Sequence, residues 1–142
     1  MDLDEASLER LGQWPWPRYR IARLLERIRA AGATAVGLDM VFAEPDRTSL
    51  TLLSGEILRD LGTRIDLAGF PREALDTDRA LAATLAGGPF VLGYQFDFET
   101  ARGNPCVLHP LRAAILAGGG TGGADGLFDA RGVVCNLPGL SK

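Results

Sequence analysis

The sequence predicts one α/β domain, from three observations. Apolar residues recur at helical spacing ahead of Gly32, two apolar runs of strand length follow (ATAVGLDMVF at 33–42 and PFVLGYQFDF at 89–98), and helical patterns occupy the stretch between them. Helices and strands that alternate over short connections bury their apolar sides against one another in layers, so a helical bundle is disfavoured. The expected architecture is a single domain with a central mixed sheet flanked by helices, the helix at 18–31 packing beside strands near 33–40 and 89–96. A length of 142 residues suits one core and is short for two. Both ends read as truncated: MDLDEASL looks like the tail of a strand entering a turn, and NLPGLSK stops without a terminal element.

Each element has its own signal. WPWPRYR supplies rigid, partly extended backbone, and Pro17 suits the first helical position, where a missing N–H costs no hydrogen bond. Ile21, Leu24, Leu25 and Ile28 then form the buried stripe of a helix that Gly32 ends, with arginine stems covering its margins. The strand in 33–42 runs through Leu38 or Met40, and Glu44, Pro45 and Asp46 turn the chain after it. A helix at 50–61 presents Leu53, Ile57 and Leu58 as its apolar face; Ser49 is its candidate cap, as Ser7 is for an earlier turn. After a connection from Gly62 to Pro71, a helix at 76–86 packs through Leu81, Ala82 and Leu85 and stops at Gly87 and Gly88. Tyr94, Phe96 and Phe98 alternate along the second strand and are expected to fill one sheet face. LRAAILA (111–117) reads as a short helix, GGGTGGADG (118–126) as a flexible connection, and GVVCNLP (132–138) as a short strand ending at Pro138.

Composition narrows the function classes. A hydrophobic content of 46% with 23% charged residues belongs to a globular protein and argues against global disorder. The net charge of −3, from 15 basic and 18 acidic residues interspersed along the chain, gives no electrostatic reason to expect nucleic acid as a partner. No apolar stretch approaches the roughly 20 residues that cross a bilayer. No signal peptide is expected, because acidic residues follow Met1 at once. The glycine-rich run has neither the preceding strand nor the GxxxxGK[ST] pattern of a phosphate cradle, and no cofactor is indicated.

Cys106 and Cys135 stand too far apart for CxxC chemistry, and two thiols with the single His109 make a poor zinc signature. Two isolated buried thiols and a disulfide both remain open. His109, followed by Pro110 in a loop-like segment, reads as structural or solvent-facing. Trp14 and Trp16 either cover the packed helix or form a platform for a partner. Asp39, Glu44 and Asp46 crowd the exit of an apolar run. They admit an anchoring role, in which Asp39 accepts backbone or arginine hydrogen bonds while Glu44 and Asp46 stabilise the turn. A cation site that recruits Asp4 or Glu5 and a catalytic carboxylate pair are the other readings. Their spacing does not supply a metal geometry. Trp16 and Tyr94 are candidates for an aromatic-lined ligand site.

Taken together, LDEASLERLGQWPWPR and LLERIRAAGATAVGLDMVFAEPDR resemble the second type of CHASE domain, an extracellular sensory domain associated with cyclases, histidine kinases and protein kinases. Asp4, Glu5, Ser7 and Leu8 match its acidic turn and SL segment, and Trp14, Pro15, Trp16, Pro17 and Arg18 match its WPWPR element. Asp39, Phe42, Glu44, Pro45 and Asp46 match its FDxxFxEPD-like segment, with Leu38 in place of the frequent phenylalanine; GVVCNLPGLS is also similar. The resemblance implies that residues 1–142 are a partial extracytoplasmic sensory module of a bacterial receptor, anchored in the membrane in its full-length form and carrying a cytoplasmic output domain. It implies no catalysis by this segment, an envelope signal or small ligand as its partner, and leaves homo-oligomerisation open. An extracytoplasmic setting also favours a disulfide between Cys106 and Cys135. Asp39, Glu44 and Asp46, with Asp4, Glu5, Trp16 and Tyr94, are the residues expected at a signal-responsive site.

Overall fold

A computed structural model describes residues 4–99 and 130–141. Cys106, His109, the expected helix at 111–117 and the glycine-rich connection at 118–126 lie outside the described residues.

The first helix, α1 (Glu5–Leu11), is opened by Asp4, whose carboxylate accepts from the Ser7 N–H at 2.9 Å and the Ser7 hydroxyl at 2.7 Å. Ser7 is therefore the capped residue and not the cap: a carboxylate three residues earlier satisfies an otherwise orphaned amide and suits the positive end of the helix. In α2 (Arg18–Ala30), Pro17 stands just outside the helix as its N-cap, one position earlier than expected. Ile21, Ala22 and Leu25 are buried along it, as their spacing requires. Past its end, Gly32 has a φ of 94°, a conformation that side-chain-bearing residues rarely adopt.

The chain next forms β1 (Val36–Leu38), then α3 (Leu50–Leu61), the single turn α4 (Arg72–Leu75) and α5 (Thr77–Ala86), before returning as β2 (Phe90–Leu92). β1 and β2 pair in parallel, with Val36 opposite Phe90 and Leu38 opposite Leu92. α5 packs against α2 over this pair. The core joins Ile21, Ala22 and Leu25 of α2 to Leu38, Phe42, Leu81 and Leu140, and Leu81 is fully buried.

The α/β class holds, as does the packing of the 18–31 helix beside strands near 33–40 and 89–96. The second apolar run divides. After β2, Gly93 donates its N–H to the Leu38 carbonyl at 3.1 Å, and β3 (Gln95–Asp97) leaves to pair antiparallel with β4 (Gly132–Val134). Among the described residues, parallel and antiparallel ladders both occur, but in two separate two-stranded sheets. β4 ends well before Pro138, because Asn136 and Leu137 bond instead to the segment after β1: Asn136 Oδ1 accepts from the Phe42 N–H at 2.8 Å, and the Leu137 N–H donates to the Phe42 carbonyl at 2.8 Å.

Two expected buried faces are not buried. α3 has the expected limits, yet none of its residues is buried; Leu53 and Leu58 are exposed, since its packing neighbour α4 is one turn long and covers little. Tyr94, Phe96 and Phe98 are also exposed. Phe96 of β3 packs on Tyr94 and Phe98, which flank the strand, with Tyr94 and Phe96 edge to face and their centroids 5.3 Å apart.

Candidate functional site

Asp46 is the centre of the acidic segment, 8% exposed and bonded from several directions. Its Oδ2 accepts from the Arg18 backbone N–H at 2.7 Å and the Thr77 hydroxyl at 2.6 Å; its Oδ1 accepts from the Thr48 N–H at 2.9 Å and the Thr48 hydroxyl at 2.8 Å. These four bonds explain how α2 starts behind a proline. Pro17 has no capping side chain, and a carboxylate from 28 residues further along the chain takes that place at the positive end of the helix. Burial pushes the Asp46 carboxyl up, but the bonds from Thr77, the Arg18 amide and Thr48 outweigh it and hold the group below its ordinary value of 3.8.

The same node reaches the start of α5. The Thr77 hydroxyl lies 2.8 Å from the Ser49 hydroxyl, and Ser49 Oγ accepts from the Thr77 N–H at 3.1 Å. Ser49 is the N-cap residue of α3 but makes no side-chain bond to that helix, its hydroxyl being committed to Thr77. The Asp46 N–H donates to Asp78 Oδ2 at 3.0 Å, while Asp78 Oδ1 lies 3.2 Å from Arg18 Nη1. That last contact is at ion-pair distance without the alignment of a hydrogen bond, so its attraction is coulombic. The Arg18 guanidinium also donates to the Glu44 carbonyl and lies 4.6 Å from the Phe42 ring centroid.

The other expected site residues are dispersed. Asp39 is exposed, and no hydrogen bond to its carboxylate occurs among the described residues, so the anchoring expected of it falls to Asp46. The physical reason is position: Asp39 follows β1 directly and leaves the core, whereas Asp46 returns to it between two helix starts. Asp39 lines a groove of about 860 Å³ between α2 and β1, whose walls are otherwise apolar and include Trp14, Leu24, Ile28 and Met40. Glu44 is exposed and contributes its carbonyl to Arg18. Asp4 is the N-cap of α1, its carboxylate occupied by Ser7, and Glu5 sits in the first turn. Trp16 is buried and donates its indole N–H to the Gly12 carbonyl at 2.7 Å; Tyr94 is exposed just before β3.

Chemically the node is saturated. A carboxylate has about four lone-pair sites, and Asp46 uses four acceptor bonds, so binding a cation or taking a proton would first require breaking them. Among the described residues, no group of three or more His, Cys, Asp or Glu is placed to hold a metal ion. Sequence reasoning missed Thr48, Thr77, Asp78 and Asn136. The proline at the start of α2 was the usable signal, since a helix that begins without a capping side chain needs an acceptor from elsewhere. Cys135, just after β4, is disulfide-bonded, while its expected partner Cys106 lies outside the described residues.

No helix among the described residues is long and apolar enough to cross a membrane. No curated protein and no solved structure matches the chain. The profile of the CHASE2 domain matches residues 1–140, spanning the WPWPR segment, the acidic turn around Asp46 and the Asn136 strap that the structure ties together. The chain therefore belongs to the CHASE2 family, whose members are extracellular sensory domains.

Proposed function

We propose that this domain senses a signal on the extracytoplasmic side of a bacterial membrane and passes a conformational change to a cytoplasmic cyclase or kinase output domain, without catalysing a reaction itself. The observation that supports this reading most is the Asp46 node. One buried carboxylate links the starts of α2 and α5 and the turn after β1, so a change at that turn alters how both helices are held. Packed elements with two discrete arrangements are the usual means by which a binding event biases a receptor. Asp39 and Glu44, exposed on either side of Phe42, are the acids free to meet an envelope signal or small ligand, while Asp46 organises the loop that carries them. The disulfide at Cys135 suits an oxidising compartment, with Cys106 as the proposed partner.

The test uses the membrane-anchored full-length protein. Output activity is compared for wild type and Asp39→Asn across candidate envelope signals, with expression, folding and insertion matched. The reading expects the substitution to change basal output or the response. A wild type that responds reproducibly beside an Asp39→Asn protein with the same basal output and response removes Asp39 from signalling, and turnover of a substrate by the isolated domain overturns the non-catalytic reading. A second reading, assembly without a ligand, draws on the unburied leucines of α3. Oligomerisation that persists without any signal-dependent movement would favour it.

A further inference from the structure

α2 carries five arginines, and the fold commits three of them. The guanidinium of Arg18 meets Asp78 and the Glu44 carbonyl, Arg20 donates to the Leu11 carbonyl, and Arg29 donates to the Gly87 carbonyl. Arg23 and Arg27 are exposed, and among the described residues their guanidinium groups meet no carboxylate and no hydrogen-bond acceptor; Arg23 lies 5.6 Å from the Tyr19 ring centroid. Glu26, the acid of this helix, turns toward α5 and accepts from the Thr84 hydroxyl at 3.1 Å. The chain as a whole carries −3, so the positive potential here is local.

Helical spacing sets this positive row on the rim of the apolar groove. Leu24 and Ile28 line the groove. Residues three and four apart are neighbours on a helix, so Arg20 and Arg27 flank Leu24, and Arg23 continues their row, three positions from Arg20 and four from Arg27. The two ends of the groove differ. The Ala33 N–H bonds back to the Ile28 carbonyl at 3.4 Å, so one end lies beside Ile28 and Arg27. Trp14, Asp39 and Met40 mark the other, where α2 starts and β1 has finished. A volume of about 860 Å³ falls within the roughly 300–1,000 Å³ of small-molecule sites. Apolar walls, guanidinium groups along one rim and a single carboxylate at the far end are complementary to a hydrocarbon body with one anionic head.

We propose that the groove between α2 and β1 binds a single-chain anionic amphiphile of the fatty-acid class, its hydrocarbon chain against Leu24, Ile28 and Val36 and its carboxylate held by Arg23 and Arg27. Arginine–carboxylate pairs are charge-assisted and match in shape, and the chain contributes through the apolar area it buries. Asp39 gives the ligand a direction, because a carboxylate at the Trp14 end repels the head from that end. A cationic head would instead meet the arginine row. The proposal deepens the sensory reading by naming its ligand class. Binding is measured without any output domain, so its failure is distinguishable from a failure of signalling through Asp39.

The test is titration calorimetry and nuclear magnetic resonance on the chain of residues 1–142, with laurate below its micelle concentration as the probe. Binding should saturate at one laurate per chain. Decanoate, shorter by two methylenes, should bind about tenfold more weakly, since each buried methylene is worth about fourfold in affinity. Arg23→Gln combined with Arg27→Gln should weaken laurate binding about fivefold or more and leave the urea midpoint unchanged, both side chains being exposed. Dodecyltrimethylammonium, with the same chain and the opposite charge, should bind more weakly than laurate. In the unmodified chain, laurate methylenes should show nuclear Overhauser contacts to the methyl groups of Leu24, Ile28 and Val36, a readout that survives if the variant fails to fold. Absence of laurate binding overturns the proposal, as do contacts confined to other surfaces and an affinity that the double substitution leaves unchanged. Equal binding of the cationic amphiphile overturns the role of the arginines. Association with phosphatidylglycerol vesicles by a chain that binds no monomeric laurate assigns the arginine row to a membrane surface and overturns the proposal equally.

Discussion

At Asp46 the anchoring of the acidic turn rests on one side chain. Replacing it by asparagine keeps the shape but puts an amide nitrogen where one of two acceptor oxygens stood, facing donors from Thr48 or from Thr77 and Arg18. Hydrogen bonds to a charged acceptor contribute about 1.5–3 kcal/mol each, so Asp46→Asn should lower unfolding stability by at least about 2 kcal/mol, visible as a lower urea midpoint at unchanged slope. The pH dependence has a definite sign. The folded-state carboxyl is held below its ordinary value of 3.8, so its contribution is present above that value and is lost as pH falls through the lower folded value. Wild type should therefore lose stability on acidification below about pH 4 more steeply than Asp46→Asn; Asp4, lowered by its bonds to Ser7, leaves the variant some residual slope. Equal acid profiles would show that the node contributes nothing through its charge. Its members were only partly legible: Asp46 and Arg18 stand in recognisable motifs, but Thr77 and Asp78 come from a helix 31 and 32 positions later in sequence, and local spacing carries no information about such a meeting.

Among the elements, α3 and α5 make a contrast that patterns alone do not reveal. Both were placed within about a residue by their flanking signals, Ser49 and Gly62 for α3 and Asp76 and Gly87 for α5. Periodicity shows that a helix has an apolar side, not that anything covers it: Leu81 of α5 is fully buried whereas Leu61 of α3 is 74% exposed. Stability changes should follow burial. Leu81→Ala removes a core side chain and should cost about 2–5 kcal/mol. Within α3, Gly55 has no atom within 4 Å of where a Cβ would stand beyond its own helix, so Gly55→Ala should stabilise the helix by about 0.5–1 kcal/mol through the unfolded chain's lost freedom. Thermal unfolding of the two variants against wild type decides both, and a destabilised Gly55→Ala would mean that α3 has a close neighbour at that face. The division of the 89–98 run into β2 and β3 was illegible for the same reason. Gly93 and Asn136 bring together segments 43 residues apart, and an apolar run reads alike whether one sheet or two receive it.

For the whole molecule, the question is what holds the second sheet to the first. β3 and β4 pair over three residues each, with Gln95 opposite Val134 and Asp97 opposite Gly132, and an isolated two-stranded ladder of that length is marginal in water. Among the described residues, two constraints reinforce it. Asn136 donates from Nδ2 to the Gly93 carbonyl at 2.8 Å and accepts from Phe42, pinning the exit of β4 to the parallel pair. Cys135, the preceding residue, is disulfide-bonded. With Cys106 as the proposed partner, the bridge closes a loop of about 30 residues, and restricting a loop of that size in the unfolded chain contributes about 3.6 kcal/mol. Protein from an oxidising compartment should yield, under non-reducing digestion, one species joining the peptides that contain Cys106 and Cys135. Reduction should lower the unfolding midpoint and speed amide exchange at Phe96 and Val133 first, leaving Leu25 and Leu81 protected until global unfolding, because the α2–α5 core does not depend on the bridge. A dimer-linked species carrying two copies of the Cys135 peptide would replace the intramolecular pairing by an intermolecular one, and equal exchange across both sheets after reduction would show that the second sheet is not a separately stabilised unit.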